Sequence, residues 1–298
     1  MSVTTIRNVA RSAALSVLAA ACSGDATTGT GAGTATLRIQ ITDGPSVAYD
    51  SAIVYIGAVT IRPVDGDPIV VTDEGGRFDL LDLQNGVTAE LGEIEVEPGE
   101  YHELRLIVDS AYVGLADPYA FDDGTTERDL KVPSGSSSGI KVKLRAVDGD
   151  ENADGITIVP GETILVVDFD VYQNFKTQGN PNTPAGLKGV LFTPTLRATV
   201  RNVAGSIAGT VTAAADDSPL PGLTVRATLQ GTPAGEDPIE ATAITQDDGT
   251  YVIRFLAPGT YDVTVDAFTA DPPESMPREV TVGEGEAVTG VDFSGTST

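Results

Sequence analysis

Hydrophobic and polar residues alternate along most of the chain after Thr34, and this period of two is typical of β-strands with one buried face. β-branched residues dominate the alternating stretches, while glycine, proline and aspartate separate them. A helical turn is expected only within Leu80–Leu91. The clearest predicted strands are Ala35–Thr42, Ile53–Arg62, Tyr101–Asp109, Ile140–Val147, Thr163–Val171 and Leu187–Val200. Short strands with regular turn signals predict an all-β fold built of antiparallel sandwiches.

A boundary near residue 203 divides the alternating region into two blocks. Residues 35–203 are predicted to form one antiparallel β-sandwich domain, and residues 204–298 a second. The charge changes at the same place, because the chain from Gly205 onward carries fifteen acids, three arginines and no lysine. Two domains also agree with a length of 298 residues.

Both blocks repeat one piece of turn chemistry. Tyr101 and Tyr261 each follow a Pro-Gly turn closely and each lie at the start of an alternating stretch. A tyrosine in this position can bury its ring while its hydroxyl bonds the neighbouring backbone, as in a tyrosine corner. The repetition therefore predicts shared turn chemistry in two sandwiches and not a duplicated active site.

The first 21 residues predict a signal peptide. Arg7 and Arg11 precede the apolar run 13–21, which is shorter than the roughly 20 residues that span a bilayer. Small residues directly before Cys22 resemble a bacterial lipobox, and this resemblance implies cleavage before Cys22 and lipid on its sulfur and new amino group. Residues 22–34 then predict the lipidated cysteine and a flexible tether. A plain signal peptide with a chance cysteine is the alternative.

Composition excludes several function classes. A net charge of −25 argues against nucleic-acid partners, because phosphate backbones require lysine and arginine. The single cysteine forbids an intrachain disulfide, and the single histidine removes His-rich metal sites and most catalytic triads. The chain has no tryptophan, so the best side chain for stacking on a sugar ring is missing.

Motifs in the first block resemble the domain of unknown function 4382 of bacterial lipoproteins. The resemblance spans about Ala35–Val200 and is carried by Ile41–Pro45, Tyr101–Leu106 and Val167–Val171, with further matches in the segment 132–141. That family has no agreed catalytic residues, so the resemblance implies none here.

Motifs in the second block resemble the carboxypeptidase regulatory-like domain, a transthyretin-type sandwich. The matching segments are Gly209–Val211, Pro221–Val225, Thr245–Tyr251 and Leu256–Tyr261, in the order and spacing of that domain. The resemblance implies a carbohydrate-binding-like fold, and it implies sugar binding only by analogy of fold.

One acidic segment has the spacing of half a calcium loop. From Asp150 the chain reads D-x-N-x-D-G, in which alternating oxygens can turn toward an ion and glycine allows a sharp bend. A complete loop would carry glutamate at its twelfth position, where this chain has Gly161. A calcium site and a solvated acidic hairpin both fit the pattern. The calcium ligands would be Asp148, Asp150, Asn152 and Asp154.

Asp168 and Asp170 form the one candidate catalytic pair. Strand alternation places them on one face, while Val167, Phe169 and Val171 face the core. Paired carboxylates can act as acid and base in glycoside hydrolysis. The alternative is that both are solvated or paired with lysine.

The segment Tyr172–Gly189 is predicted as a long loop rich in amides. Its amide groups can hydrogen-bond sugar hydroxyls, and its aromatic rings can stack on a sugar. An ordinary surface connection is the alternative. The candidate ligand residues are Tyr172, Gln173, Asn174, Phe175, Asn180 and Asn182.

These observations predict a lipid-anchored, non-catalytic protein of the cell envelope, at the outer membrane or cell surface. It is expected to be a binding or adhesion module for a glycan or an envelope protein, without a cofactor unless calcium binds. A structural scaffold or envelope-assembly partner that binds proteins is the alternative. A glycoside hydrolase is the third hypothesis.

Overall fold

The computed structural model describes residues 33–44, 49–132, 138–144, 155–180, 186–232 and 238–298, and most of its regular structure is β-strand. The all-β prediction is therefore confirmed. A 3-10 turn at Leu80–Leu83 confirms the predicted helical turn, and Val171–Asn174 forms one short α-helical turn, α1. Among the described residues of the first block, the strands are β1 (Ala35–Thr42), β2 (Tyr49–Pro63), β3 (Ile69–Thr72), β4 (Gly76–Asp79), β5 (Ala89–Val96), β6 (Gly99–Leu115), β7 (Glu127–Leu130), β8 (Ile140–Lys143), β9 (Ile156–Ile158), β10 (Gly161–Asp168), β11 (Phe175–Gly179), β12 (Leu187–Phe192) and β13 (Arg197–Val200).

The first block contains a seven-stranded sheet, a four-stranded sheet and a hairpin. The long strands β2 and β6 pair antiparallel and carry the other five strands of the larger sheet, while β11 and β12 form the hairpin. The smaller sheet has the order β13-β10-β1-β5. Within it β1 and β10 are parallel, with Ala35 opposite Gly161 and Thr42 opposite Asp168. The prediction of purely antiparallel sheets is wrong for this pair, because the long connection through the larger sheet returns β10 in the direction of β1.

Two predicted strands end earlier than the alternation suggests. Strand β10 stops at Asp168 and not at Val171, because Asp170 has a left-handed backbone with φ of 40°. The predicted strand Leu187–Val200 is two strands, since β12 pairs with β11 while β13 pairs with β10. Pro194 lies between them, where a missing N–H would interrupt a sheet ladder.

Among the described residues of the second block, the strands are β14 (Gly205–Ala213), β15 (Thr224–Leu229), β16 (Glu240–Ile244), β17 (Thr250–Leu256), β18 (Gly259–Val265), β19 (Phe268–Ala270), β20 (Arg278–Val282), β21 (Ala287–Val288) and β22 (Phe293–Ser297). These strands form two sheets. One has the order β17-β14-β22-β19 with β21 beside β14, and the other has the order β16-β15-β18-β20. Strand β14 is parallel to β21 and β22, so this block is mixed as well. A 3-10 turn occupies Pro273–Ser275.

Each block buries its own hydrophobic cluster. Leu37, Leu104 and Phe169 are fully buried members of the first cluster, while Ile207 and Val225 belong to the second. Side chains from both sheets of a block contribute to its cluster. The two hydrophobic clusters are separate, so neither core extends from one block into the other.

Both predicted tyrosine corners are present. The Tyr101 hydroxyl donates a hydrogen bond of 2.7 Å to the carbonyl oxygen of Glu97, and the Tyr261 hydroxyl donates one of 2.7 Å to Ala257. The rings are 3% and 2% exposed. Burial raises the pKa of Tyr261 to about 12, so its hydroxyl remains a donor at neutral pH. The prediction from the repeated turn is therefore confirmed in both blocks.

Replacing Tyr261→Phe should lower the free energy of unfolding by about 0.5–1.5 kcal/mol, because it removes one hydrogen bond to a partly buried carbonyl. Urea titration followed by circular dichroism measures the change. Tyr55→Phe is the matched control, since the Tyr55 side chain is 42% exposed and its loss should change little. Equal effects of the two substitutions would contradict this role for the corner.

Candidate functional site

The end of β10 forms a tight turn that directs two carboxyl groups inward. Asp170 adopts φ 40° and ψ 79°, a left-handed conformation that aspartate tolerates better than most residues. Its Oδ1 accepts a hydrogen bond of 3.1 Å from the backbone N–H of Gln173 and so caps α1. Asp168 Oδ1 accepts the N–H of Asp170 at 3.0 Å. The two carboxyls are 5% and 3% exposed, so the expectation that they are solvated or lysine-paired is wrong.

Asp43, which directly follows β1, brings a third carboxyl to this turn. Its Oδ1 accepts the backbone N–H of Val171 at 2.7 Å, across 128 residues of sequence. Asp43 is 5% exposed, and its Oδ2 is buried without a hydrogen-bond partner among the described residues. We call Asp43, Asp168 and Asp170 the carboxyl cluster.

The carboxyl cluster favours the protonated form of two of its members. Burial, followed by the charge of Asp168, raises the pKa of Asp43 well above its ordinary value. The same two causes raise the pKa of Asp170 to about 7, although hydrogen bonds from Gln173 and the charge of Arg197 oppose the shift. Near neutral pH the cluster therefore holds protons that exposed aspartates would release.

Arg197 connects the carboxyl cluster to the second block. It lies opposite Asp168 in the pairing of β13 with β10, and its guanidinium forms an ion pair with that carboxylate. Its Nη1 donates to the carbonyl oxygen of Phe255 at 2.5 Å, and Nη2 donates to that of Arg254 at 3.1 Å. All described residues of both blocks lie in one compact unit. One side chain thus links a buried carboxylate of the first block to the backbone of β17 in the second.

Thr242 makes the second direct contact between the cluster and the second block. Its hydroxyl lies 3.1 Å and 3.0 Å from the two carboxyl oxygens of Asp170 and donates to them. A Cβ atom at Gly44 would lie 3.2 Å from Asp170 Cγ and 3.3 Å from Thr242 Oγ1. Glycine at position 44 therefore allows the two blocks to approach closely at this point.

The predicted ligand loop is not a long loop, because its described residues form α1 and the hairpin of β11 and β12. Asn174 is fully buried, and its Oδ1 accepts the N–H of Thr195 at 2.7 Å. The ring of Phe175 is buried too, with its centroid 4.9 Å from that of Phe192 and 6.2 Å from that of Tyr49. Both side chains serve the interior of the first block, which corrects their expected contact with a ligand.

Tyr172 and Gln173 face the second block and extend the junction. The Tyr172 hydroxyl donates to Asp266 at 3.0 Å, and the Gln173 amide donates to Glu240 at 2.5 Å. Arg226 ties these two acids together with ion pairs of 2.6 Å to Glu240 and 2.7 Å to Asp266. Its guanidinium also lies 5.7 Å from the centre of the Tyr172 ring. These residues, with the cluster, Arg197, Gly44 and Thr242, form what we call the polar junction.

The remaining predicted site residues are not tested by this geometry. Asn180 directly follows β11. Within the described residues, no group of three His, Cys, Asp or Glu side chains could hold a metal ion, and no helix is long and apolar enough to span a membrane. The predicted site residues that lie outside the described part of the chain are Cys22, Asp148, Asp150, Asn152, Asp154 and Asn182.

Sequence reasoning missed Asp43, Arg197 and Thr242 as members of a site. Asp43 and Arg197 each place a charge at the edge of an apolar alternating stretch, and that interruption was the available signal. Nothing local distinguishes Thr242 from the many threonines of strands. Its partner Asp170 is 72 residues away, so only the folded chain brings the two together.

Two family models match the chain, and both motif resemblances are confirmed. The model described as "Domain of unknown function (DUF4382)" matches residues 34–184, which is just over half of the chain. The model described as "Carboxypeptidase regulatory-like domain" matches residues 206–294. No curated protein matches the chain.

Several solved structures show weak similarity to this chain. The Bacillus anthracis TIE protein is 11% identical with a TM-score of 0.22, over 89% of this chain and 34% of that one, so this chain spans about a third of its length. The minor pilin of Streptococcus agalactiae is 9% identical with a TM-score of 0.23, over 88% and 97% of the two chains. The major pilin subunit of Bacillus cereus is 9% identical with a TM-score of 0.23, over 88% and 100%. Scores this low assign neither a fold nor a function.

Replacing Arg197→Met should lower the free energy of unfolding by about 3–5 kcal/mol, because it leaves the buried Asp168 carboxylate without its counter-charge. Urea unfolding followed by circular dichroism measures the loss. Adding Asp168→Asn to this variant should recover part of it, since the uncompensated charge is then removed.

Arg201→Met is the matched control, because Arg201 is exposed and makes a side-chain bond of 2.5 Å to Gln40. Arg201→Met should lower the free energy of unfolding by less than about 1 kcal/mol. An Arg197→Met effect no larger than that of Arg201→Met would contradict the importance of the buried ion pair.

Proposed function

This chain belongs to the family of the domain of unknown function 4382, and with that membership as the premise we propose that it is a lipid-anchored, non-catalytic protein of the cell envelope. Its two β-sandwich domains follow a lipidated Cys22 and a tether. The second domain serves as the binding or adhesion module, and a glycan is the proposed ligand. The family itself brings no catalytic residues or ligand to the chain.

The polar junction is the observation that supports this proposal. Arg197 and Thr242 form direct contacts between the blocks, and Gln173 adds another to Glu240. Directional bonds of this kind hold the second domain in one orientation relative to the first. A module presented in a fixed orientation loses less entropy when it binds a surface ligand, because it is already ordered.

The contacts that Asp168 and Asp170 make within the protein support a non-catalytic role. Asp168 is paired with Arg197, and Asp170 accepts the Thr242 hydroxyl and caps α1. A sugar would need direct access to both carboxyls, and each of them is at least nine-tenths buried. These contacts favour a structural task for the pair.

Cys22→Ala should move the protein from the membrane fraction to the soluble extracytoplasmic fraction, because the variant lacks the sulfur that carries the lipid. Cell fractionation with immunoblotting measures this, and metabolic labelling with an alkyne fatty acid measures the lipid. Ser23→Ala is the control and should keep both label and location. A labelled, membrane-bound Cys22→Ala protein would contradict lipidation at this residue.

A glycan array probed with the mature chain should give saturable binding to one class of glycan, because the second domain matches the carboxypeptidase regulatory-like model, and that resemblance implies a carbohydrate-binding-like fold. Product analysis on the bound glycans should show no cleavage. An empty array together with envelope proteins recovered by crosslinking would favour the scaffold hypothesis. Cleavage that disappears in Asp170→Asn would instead favour the hydrolase hypothesis.

A further inference from the structure

The polar junction encloses three buried carboxyl groups, and a cation forms an ion pair with one of them. Asp43, Asp168 and Asp170 are each at least nine-tenths buried, and Arg197 forms an ion pair with Asp168. Asp43 and Asp170 are bonded instead by neutral donors, namely backbone N–H groups and the Thr242 hydroxyl. A buried carboxylate without a counter-charge is costly, so the geometry favours a proton on these two groups.

The free oxygen of Asp43 points to the same conclusion. Its Oδ1 accepts the Val171 N–H, while its buried Oδ2 has no partner among the described residues. Burial of an ionised carboxylate with few donors costs more free energy than burial of a neutral acid, and among the described residues only Oδ1 of Asp43 has a donor. The neutral acid is the form that this pocket tolerates better.

Thr242 of the second block covers the carboxyl group of Asp170. The Thr242 hydroxyl lies 3.1 Å and 3.0 Å from the two carboxyl oxygens of Asp170, and a Cβ atom at Gly44 would lie 3.2 Å from Asp170 Cγ and 3.3 Å from Thr242 Oγ1. The Arg197 guanidinium, which pairs with Asp168, also donates to the carbonyl oxygens of Arg254 and Phe255 in the second block. Separation of the blocks would therefore expose Asp170 to water. The burial that favours its protonated form would then be lost.

We propose that docking of the second block onto the first takes up protons into the carboxyl cluster, so that the junction is tightest in acidic medium and loosens as the pH rises toward neutral. The pH outside the membrane would then set how firmly the second domain is held. The junction would respond to pH in this way whichever ligand the protein binds.

The neighbouring charges leave Asp43 and Asp170 as the groups that respond. Glu240 and Asp266 in the second block share one cation, Arg226, so each has a positive charge in direct contact although one negative charge remains in excess. The charged and titratable groups around the junction are Asp43 after β1, Asp168 on β10, Tyr172 on α1, Arg197 on β13, Arg226 on β15, Glu240 on β16, Arg254 on β17 and Asp266 after β18.

The direction of the pH dependence follows from linkage. Burial and the charge of Asp168 raise the pKa of Asp170 from 3.8 to about 7 in the docked state, and exposure would restore the lower value. The docked state therefore binds the proton more tightly than the undocked state. Docking is strongest below about pH 4, weakens as pH rises toward 7, and changes no further from this group above that. The raised pKa of Asp43 adds to the loss in the same direction.

Asp170→Asn tests the proposal, because the amide is neutral at every pH and asparagine tolerates both the left-handed backbone and the capping position. The mature chain with Cys22→Ser would carry spin labels at Val70→Cys and Thr296→Cys, which are exposed positions in the two blocks. Double electron–electron resonance then measures the distance between the blocks. The expected distribution broadens from pH 5 to pH 8 in the parent protein and stays narrow in Asp170→Asn.

Thermal unfolding gives a second readout. The Tm of the parent should fall by about 5 °C or more between pH 5 and pH 8, and that of Asp170→Asn by less than half as much. Asp217→Asn is the matched control, since Asp217 also has a left-handed backbone, φ 57°, but is exposed. It should behave as the parent does.

Equal pH responses of the parent and Asp170→Asn in both readouts would overturn the proposal. If Asp170→Asn does not fold, Thr242→Val decides instead. It removes a donor that favours the ionised form of Asp170, so the junction should loosen further at pH 8, while Thr242→Ser behaves as the parent. A Thr242→Val distance distribution identical to that of the parent at pH 8 would overturn the proposal.

Discussion

The ion pair between Arg197 and Asp168 is the contact on which the arrangement of the two blocks depends. It lies where β13 pairs with β10, and the same guanidinium continues to the carbonyls of β17. Water is largely excluded, so each remaining polar group needs a partner or a proton. The capping of α1 and the close approach at Gly44 follow from that requirement.

A polar junction between two closed cores has a different physical character from an apolar one. Each block completes its own hydrophobic cluster, so the second does not need the first to bury its apolar residues. Apolar surfaces tolerate sliding, whereas hydrogen bonds lose strength within a few tenths of an ångström and a few tens of degrees. The junction therefore contributes orientation more than burial of apolar area.

The sequence predicts those features that are local. Alternation predicts β1 with the ends that the structure has. The tyrosine corners are also predicted, because each tyrosine hydroxyl bonds a carbonyl oxygen only four residues earlier in the chain. Alternation also places Asp168 and Asp170 on one face, but it cannot reveal that Thr242 and Arg197 cover that face from distant segments. The parallel pairing of β1 and β10 cannot be predicted from alternation either, because long connections along the chain set the direction of each strand.

The parallel pairing within the second block has a mechanical consequence. Its first strand, β14, starts at Gly205 next to the first block, and β22 runs beside it in the same direction, with Val211 opposite Phe293. A force applied between the start of β14 and the end of β22 would pull the two strands past each other. The bonds between them would then share the load together in shear and not open one after another. Under such tension the block would be held closed through its backbone ladder.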